Sequence, residues 1–242
     1  MNLIIDAGNT RVKVAVFEQS TLMEVLVIDR NFFLSEIKKI LKKHKISYGI
    51  LSSVSFIPEK KVEKLKYLLN LVVLSSSTKV PFINLYETPK TLGVDRIALV
   101  SGAVKKFPNK NILIIDAGTC ITFDFVNDKT VYFGGAISPG IEMRYKSLHV
   151  FTSKLPILEK NYPQNFIGKN TIESINSGIV NGVTQEIKGV INQYKKKYTD
   201  LTVVLTGGDI NFLAKQLKSS IFAHQNFLLE GLNEILIFNK NK

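Results

Sequence analysis

Apolar residues in this chain come in short runs, and their period switches between two and about three and a half. Residues 3–6 form a compact apolar run of strand length. Residues 11–17 alternate, with Val12, Val14 and Val16 on one face and Lys13 between them. Residues 22–28 read as a third strand. The links between these runs are too short for crossovers, so the pattern predicts an antiparallel three-stranded meander. A helical period follows over 35–45, then a strand over 49–54. Pro58 opens a helix reaching about residue 70, because its missing N–H costs nothing in a first turn. Residues 71–74 are another buried strand. Strands that alternate with helices predict a parallel extension of the sheet.

The order then restarts. Residues 111–116, 119–126 and 130–136 read as three strands. They precede a long helix over 171–197, a strand over 201–205, a Gly-Gly turn and terminal helices. Ile5-Asp-Ala-Gly-Asn-Thr10 aligns with Ile115-Asp-Ala-Gly-Thr-Cys120, which places Asp6 and Asp116 at the ends of equivalent strands. The duplication predicts two related α/β lobes. The division falls near the proline-bearing segment 81–89 and is placed at 90/91, giving lobes of residues 1–90 and 91–242.

Composition narrows the function classes. With 242 residues, 45% of them hydrophobic and 21% charged, the chain is ordinary globular material and not a disordered one. Its apolar runs are far short of the roughly 20 residues that a membrane span needs. Met1-Asn-Leu-Ile-Ile-Asp6 has no basic head, so no signal peptide is expected and a cytoplasmic location is. Cys120 is the single cysteine, which excludes an internal disulfide. His44, His149 and His224 lack ligand spacing, which argues against a catalytic zinc site.

The net charge of +12 raises the prospect of nucleic-acid binding. Only Arg11, Arg30, Arg96 and Arg144 are arginines, however, and base readout favours arginine. The lysines cluster in helical stretches, alternating with apolar positions, as on solvated helix faces. A nucleic-acid-binding regulator is therefore the weaker reading, and steering of an anionic substrate is another use of the charge.

The chemistry concentrates at the duplicated turns. An aspartate that ends a buried strand stands where ligands bind in open α/β sheets. Gly8 and Gly118 allow close backbone approach, and backbone N–H groups with the hydroxyls of Thr10 and Thr119 can bond phosphate. The carboxylates would repel phosphate, so the expectation is that they hold Mg²⁺ or another bridging cation. One Asp-Gly pair alone would be an ordinary hairpin turn. The chain has no Gly-x-x-x-x-Gly-Lys-Ser/Thr loop; Gly168-Lys169-Asn170-Thr171 comes nearest. No Gly-x-Gly-x-x-Gly follows a strand, and no protein-kinase catalytic loop is present.

Five motifs carry a resemblance over essentially the whole chain: Asp6-Ala-Gly-Asn-Thr-Arg-Val-Lys13, Gly93-Val-Asp-Arg96, Asp116-Ala-Gly-Thr119, Gly134-Gly-Ala-Ile-Ser-Pro-Gly140 and Thr206-Gly-Gly-Asp209. In order and spacing they resemble the type III pantothenate kinases, of the acetate and sugar kinase, heat-shock chaperone and actin superfamily. Cys120 stands where a small alanine is usual, and it reads as a small buried strand residue. The resemblance implies two ribonuclease-H-like lobes with mixed sheets flanked by helices and a nucleotide cleft between them.

It also implies roles. Asp6, Ala7, Gly8, Asn9, Thr10, Arg11, Val12 and Lys13, with Thr119, would bind ATP. Asp6 would orient Mg²⁺ and its waters, and Asp116 would hold a monovalent cation, K⁺ or NH₄⁺. Gly207 and Gly208 would let adenosine lie against the backbone. Tyr86, Gly93, Val94, Asp95, Arg96 and Thr171 would bind pantothenate. Asp95 would be the base that accepts the proton of the attacking hydroxyl, and Arg96 would fork onto the carboxylate. Each has an ordinary reading as well. Lys13 can be a solvated strand residue, Asp95 can complement a helix dipole, Tyr86 can be packing, and Thr171 can be an N-cap.

The implied activity is ATP-dependent phosphorylation of pantothenate to 4′-phosphopantothenate, the first step toward coenzyme A. A kinase of another small hydroxy acid or a sugar is the rival. The apolar stripe Ile172, Ile175, Ile179, Val183, Ile187 and Ile191, with the family's habit, suggests a homodimer without membrane or nucleic-acid partners. The expectation underlying all of these is that Asp6, Asp95 and Asp116 share one pocket.

Overall fold

The computed structural model describes residues 1–8, 12–53, 57–217 and 221–240. Along the chain come β1 (Asn2–Ala7), β2 (Val12–Glu18), β3 (Thr21–Ile28), α1 (Phe33–Lys43), β4 (Tyr48–Ser53), α2 (Glu59–Leu68), β5 (Asn70–Val73) and β6 (Ile83–Asn84). They are followed by α3 (Val94–Lys106), β7 (Asn111–Ala117), β8 (Cys120–Val126), β9 (Val131–Pro139), α4 (Ile141–Val150), α5 (Thr171–Lys197), β10 (Leu201–Thr206), α6 (Ile210–Leu217), β11 (Phe222–Ala223) and α7 (Phe227–Lys240). By their contacts these form two units. One holds residues 1–108, 130–132 and 226–242; the other holds 109–129 and 133–225. The packing therefore joins α3 and the C-terminal α7 to the first sheet, which differs from the division at 90/91 read from the sequence.

In the first unit the strand order is β3-β2-β1-β4-β5. The β1–β2 and β2–β3 pairs are antiparallel, and β1–β4 and β4–β5 are parallel, as the short hairpin links and the helical crossovers require. β1 is central, and Leu3, Ile4 and Ile5 are fully buried. Leu3, Ile5, Val12, Val14 and Val16 pack with Ile37 and Ile40 of α1 and Leu65 of α2, each such side chain stabilising the fold by roughly 1.5–3 kcal/mol. Lys38, Lys39, Lys42 and Lys43 on α1, and Lys60, Lys64 and Lys66 on α2, are exposed, so the lysine runs do form outer helix faces. The other face of the sheet meets α3 and α7. These two helices touch at backbone level: a Cβ on Gly102 would lie 3.0 Å from Gly231 Cα. The two-residue β6 pairs with Val131 and Tyr132.

In the second unit the order is β11-β10-β7-β8-β9, with β10 parallel to both β7 and β11 and β8 antiparallel to β7. Ile175, Ile179, Val183, Ile187 and Ile191 of α5 pack on Leu113, Ile115, Phe123, Val203 and Leu205. The α5 stripe taken from the sequence as a dimer face is thus spent on the chain's own core; of its six residues only Ile172 is exposed, at 53%. α4, β6 and β11 escape the sequence reading. α4 buries only Ile141 and Tyr145, which leaves no helical stripe to find, and the two strands have two residues each. Among the described residues no helix is long and apolar enough to cross a membrane.

Candidate functional site

β1 carries Asp6 to the edge of the first turn. Its ladder partners are Lys13 in β2 and Ser52 in β4. Burial pushes the Asp6 carboxyl up from an ordinary 3.8 to about 6; nearby Lys13 pulls it down and nearby Asp95 pushes it further up. A carboxyl held this way gains from any cation that arrives. Among the described residues no cluster of three or more His, Cys, Asp or Glu could hold a metal, so a divalent ion at Asp6 would need water and phosphate oxygens to complete its shell. The turn is anchored from outside, because the Arg30 guanidinium donates to the Gly8 carbonyl. Asn9, Thr10 and Arg11, expected to bind ATP, lie outside the described residues.

Asp95 occupies the first turn of α3, behind Gly93 at the N-cap. Its Oδ1 accepts from the Arg96 backbone N–H at 2.8 Å, and the carboxylate folds back over the space that a Cβ on Gly93 would take. Glycine is needed there for that close approach. Arg96 is 5% exposed, and its guanidinium carbon lies 5.5 Å from the Tyr86 ring centroid. Tyr86 stacks on Tyr132 at 6.3 Å and 19°, and Phe82 meets Tyr132 edge-on at 5.8 Å. The first unit thus brings together Lys13, Asp6, Asp95, Arg96 and Tyr86: a cation and carboxyl at a strand end, a second carboxylate within electrostatic reach, and a buried guanidinium backed by an aromatic stack.

The second turn is built differently. Asp116 ends β7 with Thr122 of β8 and Thr206 of β10 as ladder partners. The Gly118 N–H donates to the Cys120 carbonyl at 2.9 Å, which makes the turn tight. Thr119 is exposed at its tip, and Cys120 is half-buried where a fully buried residue was expected. Gly140, which caps α4, lies against the carbonyls of Gly118 and Thr119 and donates to the latter at 3.1 Å. Gly207 has φ +100°, and a Cβ there would strike the Ala117 carbonyl and Asp116 Oδ1. The Asp209 N–H donates to the Ala117 carbonyl at 2.9 Å, while its carboxylate pairs with Lys160 at 2.5 Å. Segments around Gly140 and Gly207–Asp209 therefore pack against the turn that follows Asp116.

Thr171 opens α5 but does not cap it. Asn170 is the N-cap, its Oδ1 accepting from the Glu173 N–H at 2.9 Å. Thr171 instead lines a pocket of about 640 Å³ with Arg144, Ser147, Leu148 and Ile175. Ser52, Thr122, Arg30 and Tyr132 were not picked out from the sequence. The first two could have been found by writing out the ladder register, since each sits opposite a paired aspartate. Arg30 and Tyr132 act through contacts that no motif spacing records.

A two-sheet mixed α/β fold of this kind is that of sugar kinases. A glucokinase from an Antarctic psychrotroph matches with a TM-score of 0.54 at 11% identity over 98% of each chain. A Baf family chain from Campylobacter jejuni matches with a TM-score of 0.67 at 21% identity, covering 99% of this chain and all of that one. At such identities the likeness is one of fold. Sequence goes further: the family model for type III pantothenate kinase matches residues 2–193. The type III pantothenate kinase of Christiangramia forsetii is 50% identical over the full length of both chains, and that of Bacteroides fragilis is 44% identical over the full length of both. The chain belongs to the type III pantothenate kinase family.

Proposed function

We infer that the chain is an ATP-dependent kinase that phosphorylates pantothenate at its 4′-hydroxyl, the first step of coenzyme A biosynthesis. The observation that carries the site reading is the run Asp6, Asp95, Arg96, Tyr86 within one unit. Pantothenate has a carboxylate at one end and a reactive hydroxyl at the other. Buried Arg96, oriented by the Tyr86 face, supplies a planar fork for the carboxylate. Asp95 accepts the proton of the hydroxyl as its oxygen bonds to the γ-phosphorus and the bond to the leaving ADP oxygen breaks. Asp6, with Gly8, Asn9, Thr10, Arg11 and Lys13, binds the ATP phosphates, and Thr119 contacts phosphate from the second turn. Mg²⁺, when bound, neutralises charge on the phosphates, and the Asp6 carboxylate is the group that orients it and its waters. Asp116 holds a monovalent cation.

The enzyme works in the cytoplasm as a homodimer. Exposed Val150, Phe151, Ile157, Phe166, Ile167 and Ile172 offer apolar surface that a second copy could cover. A substrate panel tests the reading: ADP release with ATP, Mg²⁺ and K⁺ is expected with pantothenate, and not with glucose or with the alcohol that replaces its carboxylate by hydroxymethyl. Equal turnover of pantothenate and that alcohol would remove Arg96 from its role.

A further inference from the structure

Across the first sheet Lys13, Asp6 and Ser52 stand in one row, on β2, β1 and β4. Side chains alternate along a strand, and Leu3, Ile5, Val12 and Leu51 belong to the core under α1 and α2. The row therefore points to the opposite face, where α3 meets β4. Ser52 is fully buried, and among the described residues its Oγ has no hydrogen-bond partner. A buried hydroxyl left unsatisfied is costly, and natural cores seldom keep one without a use. The second repeat puts a hydroxyl in the equivalent place: buried Thr206, on the parallel strand β10, is in register with Asp116. The antiparallel side is not kept in this way, with Lys13 in one repeat and Thr122 in the other.

Burial penalises a charge on Asp6, and the Lys13 ammonium offsets part of that penalty. Lys13 is also a phosphate-binding residue in the function proposed above. An ammonium drawn to phosphate is shared, which leaves Asp6 short of a donor when it must stand firm. Adjacent strands lie about 4.8 Å apart, so turning Ser52 about its Cα–Cβ bond brings its hydroxyl within hydrogen-bond reach of the neighbouring carboxylate. We propose that Ser52 is a positioning residue: with ATP in the first turn, its hydroxyl donates to one Asp6 carboxylate oxygen, fixes the plane of the carboxylate and leaves the other oxygen to orient Mg²⁺. A carboxylate has acceptor sites on both oxygens, so pinning one does not occupy the other. The proposal rests on the reading of Asp6 as the residue that orients Mg²⁺ and adds the residue that holds it.

The test is thermal unfolding of the full chain with and without AMPPNP and MgCl₂, alongside steady-state ADP release with ATP and pantothenate. Without ligand the hydroxyl bonds nothing, so S52A should melt at or above the wild-type Tm. With AMPPNP and Mg²⁺ its rise in Tm should be smaller than that of wild type. Its kcat should fall by roughly tenfold or more, with KM for pantothenate unchanged. S52T keeps the hydroxyl, with the residue type of Thr206, and should restore both. In an Asp6→Asn background S52A should change neither, because Ser52 acts through Asp6. That cycle stands in for the rescue should S52T not fold. An S52A protein with the wild-type rise and kcat overturns the proposal. So does one that melts lower without ligand yet keeps the full rise, since that is a packing role, or one whose loss persists in Asp6→Asn. If Asp6→Asn itself keeps the full Mg²⁺-dependent rise, the Asp6 reading fails and takes this one with it. If Asp6→Asn loses the rise while S52A matches wild type, only the role of Ser52 falls.

Discussion

The two Asp-Ala-Gly turns share their first three letters and their place at the end of a central strand, yet they build unlike surroundings. Between the last ladder pairs, Ala7 with Val12 and Ala117 with Ile121, the chain has four positions in the first repeat and three in the second. One residue fewer moves the partner of the aspartate from the seventh position after it to the sixth, from Lys13 to Thr122. The first turn is held by a side chain from outside, Arg30 on the Gly8 carbonyl. The second is held by backbone, with Gly140 and Gly207 pressed against it. Duplication fixes where the carboxylate stands, and loop length decides what stands beside it.

Removing the carboxylates one at a time should separate the turns most strongly. Asp6→Asn is expected to lower kcat by roughly 10²–10³ at saturating K⁺, the scale for losing a group that stabilises charge in the transition state. Asp116→Asn should instead show first as a higher K⁺ requirement. Steady-state ADP release at several K⁺ concentrations reads both, and an equal response to K⁺ in the two variants would erase the distinction.

Backbone support is the next point of difference. Gly207→Ala must hold a non-glycine residue at φ +100° and push against the Ala117 carbonyl, so it should cost about 1–3 kcal/mol, measured by urea unfolding. Gly231→Ala, where α7 lies against the Ala98 carbonyl of α3, should cost a similar or slightly smaller amount, about 1–3 kcal/mol by overpacking. Because α3 carries Asp95, that variant should also lose turnover at temperatures where it stays folded.

An effect of similar size and opposite sign concerns Asp6 alone. Its folded pKa of about 6 lies above the ordinary 3.8, so the native state binds the proton more tightly, and ionising Asp6 costs native stability as pH rises from about 4 to 6. Asp6→Asn should therefore stabilise the ligand-free protein at pH 7.5 by about 1–3 kcal/mol, and the gain should fade as pH falls below about 6 and vanish near 4. Urea unfolding across that range reads it, and a gain that persists at pH 4 would assign the stabilisation to something other than this carboxyl.

Much of this was legible in the sequence because buried strands and helices announce themselves by period. The meander, the crossovers and the 171–197 span of α5 follow from apolar spacing, and the matched places of Asp6 and Asp116 at strand ends follow from the repeat. The packing partner of a stripe has no such signature. The isoleucines of α5 cover β7 and β10 within the chain, though the same spacing would serve a dimer. Spacing along the chain is equally silent on lateral neighbours. The stack of Arg96, Tyr86, Tyr132 and Phe82 joins residues up to fifty positions apart through the pairing of β6 with β9. The place of α7 beside α3 depends on two glycines 129 positions apart, Gly102 and Gly231.

Single-turnover phosphorylation of pantothenate by wild type and Asp95→Asn, at matched ATP, Mg²⁺ and K⁺, bears most directly on how the phosphoryl group is moved. With Asp95 as proton acceptor, the variant should bind pantothenate nearly as well yet transfer phosphate some 10²–10⁴ times more slowly. Transfer at close to the wild-type rate would contradict it.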